Sequence, residues 1–114
     1  MPFHEFGIIE DFNIRKDYSY YSPEEYSCIS VDDDLIQNFS ESLKMMKSYF
    51  HSYERLGFGL AYCGVTIIPP ESLTLFYEVI VSSPSFKESS NLTDLAAKVS
   101  KSNEEKRYMI HFGI

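Results

Sequence analysis

Basic side chains are scarce in this 114-residue chain. Ten Lys+Arg stand against 17 Asp+Glu, a formal net charge of −7 with a pI near 4.8. A surface of that sign repels phosphate backbones and anionic headgroups, which argues against nucleic acid or a membrane surface as partner. No local basic patch offsets it. The densest cationic stretch, Lys98, Lys101, Lys106 and Arg107, has Glu104 and Glu105 inside it, and Arg15-Lys16 runs straight into Asp17. Long apolar runs are missing as well. The opening MPFHEFGIIEDF has neither a basic leader nor an extended apolar segment. The longest low-polarity stretch, Gly57 to Ile68, falls short of the roughly 20 residues that a bilayer span needs. The expectation is a cytoplasmic protein. Only Cys28 and Cys63 carry thiols, in the strand-like contexts YSCISV and LAYCGVTII. In the cytosol such residues read as small buried hydrophobes rather than a disulfide.

Catalytic signatures are absent too. There is no G-x-S-x-G, no S-x-x-K with partners and no cysteine close to a histidine in the chain. Gly57, Gly59 and Gly64 follow an expected helix and enter an expected strand. A phosphate-cradling loop needs the reverse order. His4, His51 and His111 lack H-x-x-x-H spacing and read as three unrelated histidines. Asp32-Asp33-Asp34 fails the EF-hand pattern, having neither the sixth-position Gly nor the twelfth-position Glu. It reads as a helix N-terminus, where one Asp caps and the others favour the dipole. Asn91-Leu92-Thr93 matches a glycosylation sequon that has no meaning in the cytosol. No catalytic, cofactor-binding or metal-ligating residue is assigned, no cofactor is expected, and the balance leans away from an enzyme.

Apolar residues make up 44% of the chain and aromatics 16%, enough to fill the core of one domain spanning residues 1–114. FGII (6–9) and YSCISV (26–31) read as strands, and YSYYSPEEY (18–26) as a loop. Leu35, Ile36, Phe39, Leu43, Met46 and Phe50 recur at helical spacing and predict a helix over 33–54. Leu60–Ile68 predicts a central strand ended by Pro69-Pro70. The stretch 73–81 fits both a helical and an alternating pattern, and its PPES start favours helix. A serine-rich loop leads to a helix over 92–102 and a strand-like tail from Lys106. The expected fold is α+β: a single two-layer domain with a 3-4 stranded sheet packed against about three helices, in the order (β)-β-α-β-α-α-β. The unit 26–68 would be a right-handed crossover if its strands are parallel. EFGII near the start echoes HFGI at the end. Pairing of terminal strands would explain the echo, but chance is the preferred account.

Tyrosine is the residue that stands out. Tyr18, Tyr20, Tyr21 and Tyr26 lie among Asp17, Glu24 and Glu25. Tyrosine buries area yet keeps a hydroxyl for a partner, which suits an interface. The same segment also reads as an aromatic lid over the sheet. The candidate partner-binding set is Asp17, Tyr18, Tyr20, Tyr21, Glu24, Glu25, Tyr26, Asp32 and Asp33.

The segment GLAYCGVTIIPPESL, a strand running into a Pro-Pro-Glu-Ser helix start, resembles segments of small uncharacterised bacterial single-domain proteins. In type, being small, acidic and without catalytic motifs, the chain is similar to immunity proteins of bacterial toxin systems. That likeness implies a non-enzymatic module binding a protein partner of basic character, with negative charge steering association. The alternatives are a small ligand-binding domain or enzyme with a pocket between helices and sheet, or a homodimer.

Overall fold

A computed structural model supplies the fold, described here for residues 3–18 and 21–114. Six strands and three α-helices run in the order β1 (Phe3–Ile9), β2 (Ile29–Asp32), α1 (Asp33–Gln37), β3 (Lys47–Phe50), β4 (Leu56–Phe58), β5 (Val65–Ile68), α2 (Leu73–Val81), α3 (Ser90–Glu105) and β6 (Tyr108–Phe112). Short 3-10 turns lie between them. The architecture is α+β. All six strands join one sheet, ordered β2-β1-β6-β5-β3-β4, and each pairing is antiparallel.

The sheet corrects two expectations. It has six strands rather than three or four, and the 26–68 unit contains no parallel crossover. The cause of both is the stretch 33–54. Its helix stops at Gln37, a 3-10 turn covers Ser40–Leu43, and β3 and β4 form a hairpin. Ile36, Phe39, Leu43 and Met46 are buried all the same. The apolar stripe is real, but a short helix followed by a tight turn satisfies it as well as one long helix does. Serines at 40, 42 and 48 weaken the helix by competing for backbone groups. Ser48 Oγ instead donates to the Gly59 carbonyl at 2.7 Å, locking the hairpin.

Elsewhere local signals and structure agree. Val65–Ile68 is buried at every position, as a strand covered on both faces must be. After Pro69-Pro70, residues 73–81 form a helix with Leu73, Phe76 and Ile80 inward. Ser89 caps α3 by accepting from Leu92 N, and Lys106 ends it in a left-handed conformation, φ 54°. The terminal echo, by contrast, is not the chance likeness preferred above but a real pairing: β1 and β6 are neighbours in the sheet, with Phe6 opposite His111. No helix among the described residues is long and apolar enough to cross a membrane.

Side-chain alternation gives the sheet two coverings. On one face Phe6, Val31, Ile68 and Met109 meet Phe39, Leu43, Phe76, Leu95 and Val99 from the helices and the 3-10 turn. On the other, Ile9, Tyr49, Val65, Ile67, Ile110 and Phe112 lie beneath Phe12, Tyr18, Tyr21 and Tyr26, the aromatic lid formed by residues 10–18 and 21–28. The C-terminus is threaded tightly. Gly113 N donates to the Gly64 carbonyl at 2.7 Å and Ile114 N to the Tyr62 carbonyl at 2.8 Å. A Cβ on Gly113 would collide with the Tyr62 carbonyl oxygen and stand 2.8 Å from that of Ala61. Gly113→Ala is expected to cost about 1–3 kcal/mol, read as a lower Tm by calorimetry. An unchanged Tm would contradict that close approach.

Candidate functional site

The predicted partner-binding residues divide by position. Asp17, Glu24 and Glu25 are exposed on the lid. Glu25 Oε2 accepts from Ser22 N at 2.8 Å. Hydrogen bonds from backbone N–H and from Ser22 hold the Glu24 carboxyl below its ordinary value. The tyrosines lie beneath. Tyr18 is 1% exposed, stacks on Phe12 with ring centroids 5.6 Å apart, and its hydroxyl accepts from Asn13 N at 2.9 Å. Tyr21 is half-buried, with Lys16 Nζ 5.2 Å above its ring. Tyr26 is half-buried, and burial, reinforced by Tyr18 and Glu25, pushes its hydroxyl up to about 12. Tyr20 lies outside the described residues. Asp32 caps α1, its Oδ1 accepting from Asp34 N at 2.9 Å.

Asp33 turns inward to a constellation that the spacing of the sequence does not reveal. Its Oδ1 lies 2.7 Å from His4 Nε2. His4 Nδ1 lies 2.8 Å from His111 Nε2. His111 Nδ1 lies 3.1 Å from Thr66 Oγ1, which accepts from Ala61 N at 2.8 Å. His4 is 1% exposed, His111 and Thr66 0%, and Asp33 8%. β1, β6 and β5 are successive neighbours in the sheet, and Thr66 sits directly opposite His111. Three polar side chains thus form a row across the helix-facing side of the sheet, and α1 delivers the carboxylate to its end. The Tyr62 hydroxyl, 3.4 Å from Asp33 Oδ2, closes the outer side. The His4 and His111 rings stack with centroids 5.0 Å apart, and Phe6 flanks His111 at 4.8 Å. Complete burial, then the neighbouring His4, pushes the His111 imidazole down to about 3.

Two of the three histidines are therefore partners, and the expectation that they are unrelated is overturned. The available signals were the alternation of FHEFGII and YMIHF and their terminal echo, which together place both rings on one face of adjacent strands. His51 stands apart at the β3–β4 turn with φ 69°. Among the described residues no group of three or more His, Cys, Asp or Glu could hold a metal ion. Both cysteines are free, and Cys63, expected inside, is exposed, because the strand begins only at Val65. Burial, followed by the field of Glu5, pushes the half-buried Cys28 thiol up to about 12, so it stays protonated at neutral pH.

A cavity of about 430 Å³ opens between the lid and α3. It is lined by Ile8, Ile9, Tyr18 and Tyr26, by Glu10, Asp11, Glu25 and Glu105, and by Lys16, Lys98 and Lys101. The histidine row does not line it. Among known proteins no family model, curated protein or solved structure matches this chain.

Proposed function

We propose that the protein is a non-enzymatic cytoplasmic binding module that acts by protein–protein contact, in the manner of an immunity protein masking a basic partner. The observation that carries this reading is the build of the lid. Glu10, Asp11, Asp17, Glu24 and Glu25 are all exposed on it, while Phe12, Tyr18, Tyr21 and Tyr26 tie it to the sheet. Carboxylates held on an aromatic base form an acidic surface that needs little ordering when a cationic partner docks. Between residues 10 and 28 five acids stand against only Arg15 and Lys16, so the lid carries a net negative charge. The inward turn of Asp33 removes it from that surface.

The test uses the partner itself, captured by crosslinking in the native host, purified, and titrated calorimetrically at low and high salt. The expected partner is basic. Its affinity should drop at least about tenfold from 0.05 to 0.5 M salt, since exposed charge pairs are screened. Asp11→Lys/Glu24→Lys should weaken binding by a similar factor and flatten the salt dependence. An acidic partner, or an affinity indifferent to salt, would overturn the proposal. A second reading, a small-ligand site, draws only on the lid–α3 cavity, whose lining mixes four carboxylates with three lysines.

A further inference from the structure

β4 is the outermost strand at one end of the sheet. Gly59 N donates to the Met46 carbonyl at 2.8 Å and Phe50 N to the Arg55 carbonyl at 2.9 Å. Residues 55, 57 and 59 therefore turn their main-chain groups inward to β3, and antiparallel alternation turns the N–H and C=O of Leu56 and Phe58 outward. No hydrogen bond among the described residues covers that outer side. The side chains are uncovered as well, Leu56 being 59% exposed and Phe58 56%. They stand opposite Tyr49 and Lys47, on the lid face of the sheet. The core beneath the lid thus ends at Tyr49, and Leu56 and Phe58 continue its apolar surface into solvent. Leu56-Gly57-Phe58 carries none of the Lys or Pro that ordinarily keeps another chain off an edge strand.

We propose that β4 is a self-association surface: two copies pair this strand antiparallel about a twofold axis at Gly57, joining their sheets edge to edge. The symmetry of the strand selects a second copy as the occupant. With Gly57 opposite Gly57, Leu56 of each copy lies opposite Phe58 of the other. Both pairs are of the hydrogen-bonded kind, so the outward N–H and C=O of Leu56 and Phe58 all find partners. The four apolar side chains meet on one face as cross-strand pairs. On the other face Gly57 adds no side chain, and the Phe50 ring already lies over it.

Charge favours the same edge. Residues 53–60 hold one acid and one base, Glu54 and Arg55, in a chain of net charge −7. The nearby Lys44 and Lys47 are paired with Glu41 and Glu71. Copies that repel elsewhere can therefore approach here. The opposite edge strand, β2, ends in Asp32 and runs into Asp33-Asp34, so two β2 edges would meet acid to acid. A twofold axis of this kind stands perpendicular to the sheet, which leaves both lids on one face of the joined sheet. So short a strand buries less than the roughly 1,200–2,000 Å² of a standard interface, so the dimer forms and dissociates with concentration.

Sedimentation equilibrium on the unaltered protein in about 0.15 M salt should read a monomer near 0.02 mM and a mass moving toward two copies at about 1 mM. Leu56→Lys/Phe58→Lys sets like charges against each other on the paired face and should weaken self-association at least about tenfold. Mixing isotope-labelled and unlabelled copies at about 1 mM should give a strong cross-copy nuclear Overhauser effect between the two Gly57 Hα, because a non-hydrogen-bonded antiparallel pair brings the Cα atoms to about 4.5 Å. The Leu56 and Phe58 amides should exchange more slowly at the higher concentration, while the Phe50 amide, already bonded to Arg55, should not change. A monomer at about 1 mM, a dimer that survives the double substitution, a dimer without the Gly57 contact, or species larger than two copies would each overturn the pairing. So would an extended segment of another protein taking the β4 edge while this chain stays monomeric. The Gly57 contact is read on the unaltered chain, so it decides even if the double variant fails to fold. No lid residue takes part, so the pairing stands or falls separately from the acidic docking surface.

Discussion

Acidifying the folded protein from pH 6.5 toward pH 3 removes stability steadily through His111, roughly 5 kcal/mol over the whole range. The sign follows from which state binds the proton. In the unfolded chain the imidazole titrates at its ordinary 6.5, whereas burial in the fold pushes it down to about 3. Below 6.5 the unfolded chain takes up a proton that the folded chain refuses. The stability is therefore fully present above 6.5 and is lost as pH falls to about 3. Domains of this size are stable by about 5–15 kcal/mol, so this one side chain sets much of the acid limit. Urea unfolding at a series of pH values measures it. His111→Gln, which cannot titrate, should flatten the stability–pH slope by about one proton in the same window. An identical slope in both proteins would refute the assignment.

Tyr18→Ala costs about 3–5 kcal/mol, the range for emptying a large buried aromatic site. Tyr18→Phe, which loses only the hydroxyl that accepts from Asn13 N, costs about 1 kcal/mol. Tyr18 was assigned to a partner, yet it is 1% exposed and lies between Phe12 and Tyr21 under the lid. Chemical denaturation of the two variants checks the figures. If Tyr18→Ala were as stable as the parent, the aromatic base beneath the lid carboxylates would be dispensable. The variants also separate two effects on binding. Tyr18→Phe should bind as the parent does, because its ring keeps the lid in place, whereas Asp11→Lys/Glu24→Lys acts through charge at exposed positions and leaves the aromatic base filled.

The elements legible in the chain share a property: their pattern and their punctuation coincide locally. The strand at Val65–Ile68 is stopped by Pro69-Pro70, and α3 has Ser89 at its start and Lys106 at its end. The stretch 33–54 lacks that agreement. Its apolar stripe is helical, but its serines at 40, 42, 48 and 52 are poor helix formers, and β3 forms because β4 and β5 supply hydrogen bonds on its two sides. Those bonds come from segments outside the window in which periodicity is read. The histidine pair is a stronger case, since His4 and His111 are 107 residues apart. The only local hint is the echo of HEFGI and HFGI beside the two rings, and it acquires meaning only once β1 and β6 are paired.

The sequence by itself determined the acidic balance and its concentration in the first third of the chain. It also determined which apolar side chains go inside and where proline and capping residues stop an element. These are sums and short-range patterns, and composition carries them. Only the tertiary structure decided that Asp33 turns in to His4 while Asp32 caps a helix, that the lid tyrosines lie under its carboxylates, and that two distant histidines share one hydrogen bond. Those outcomes depend on strand order and register, where a shift of one residue exchanges the two faces of a strand. A local pattern has no access to that choice; packing the whole sheet between its helices and its aromatic lid makes it.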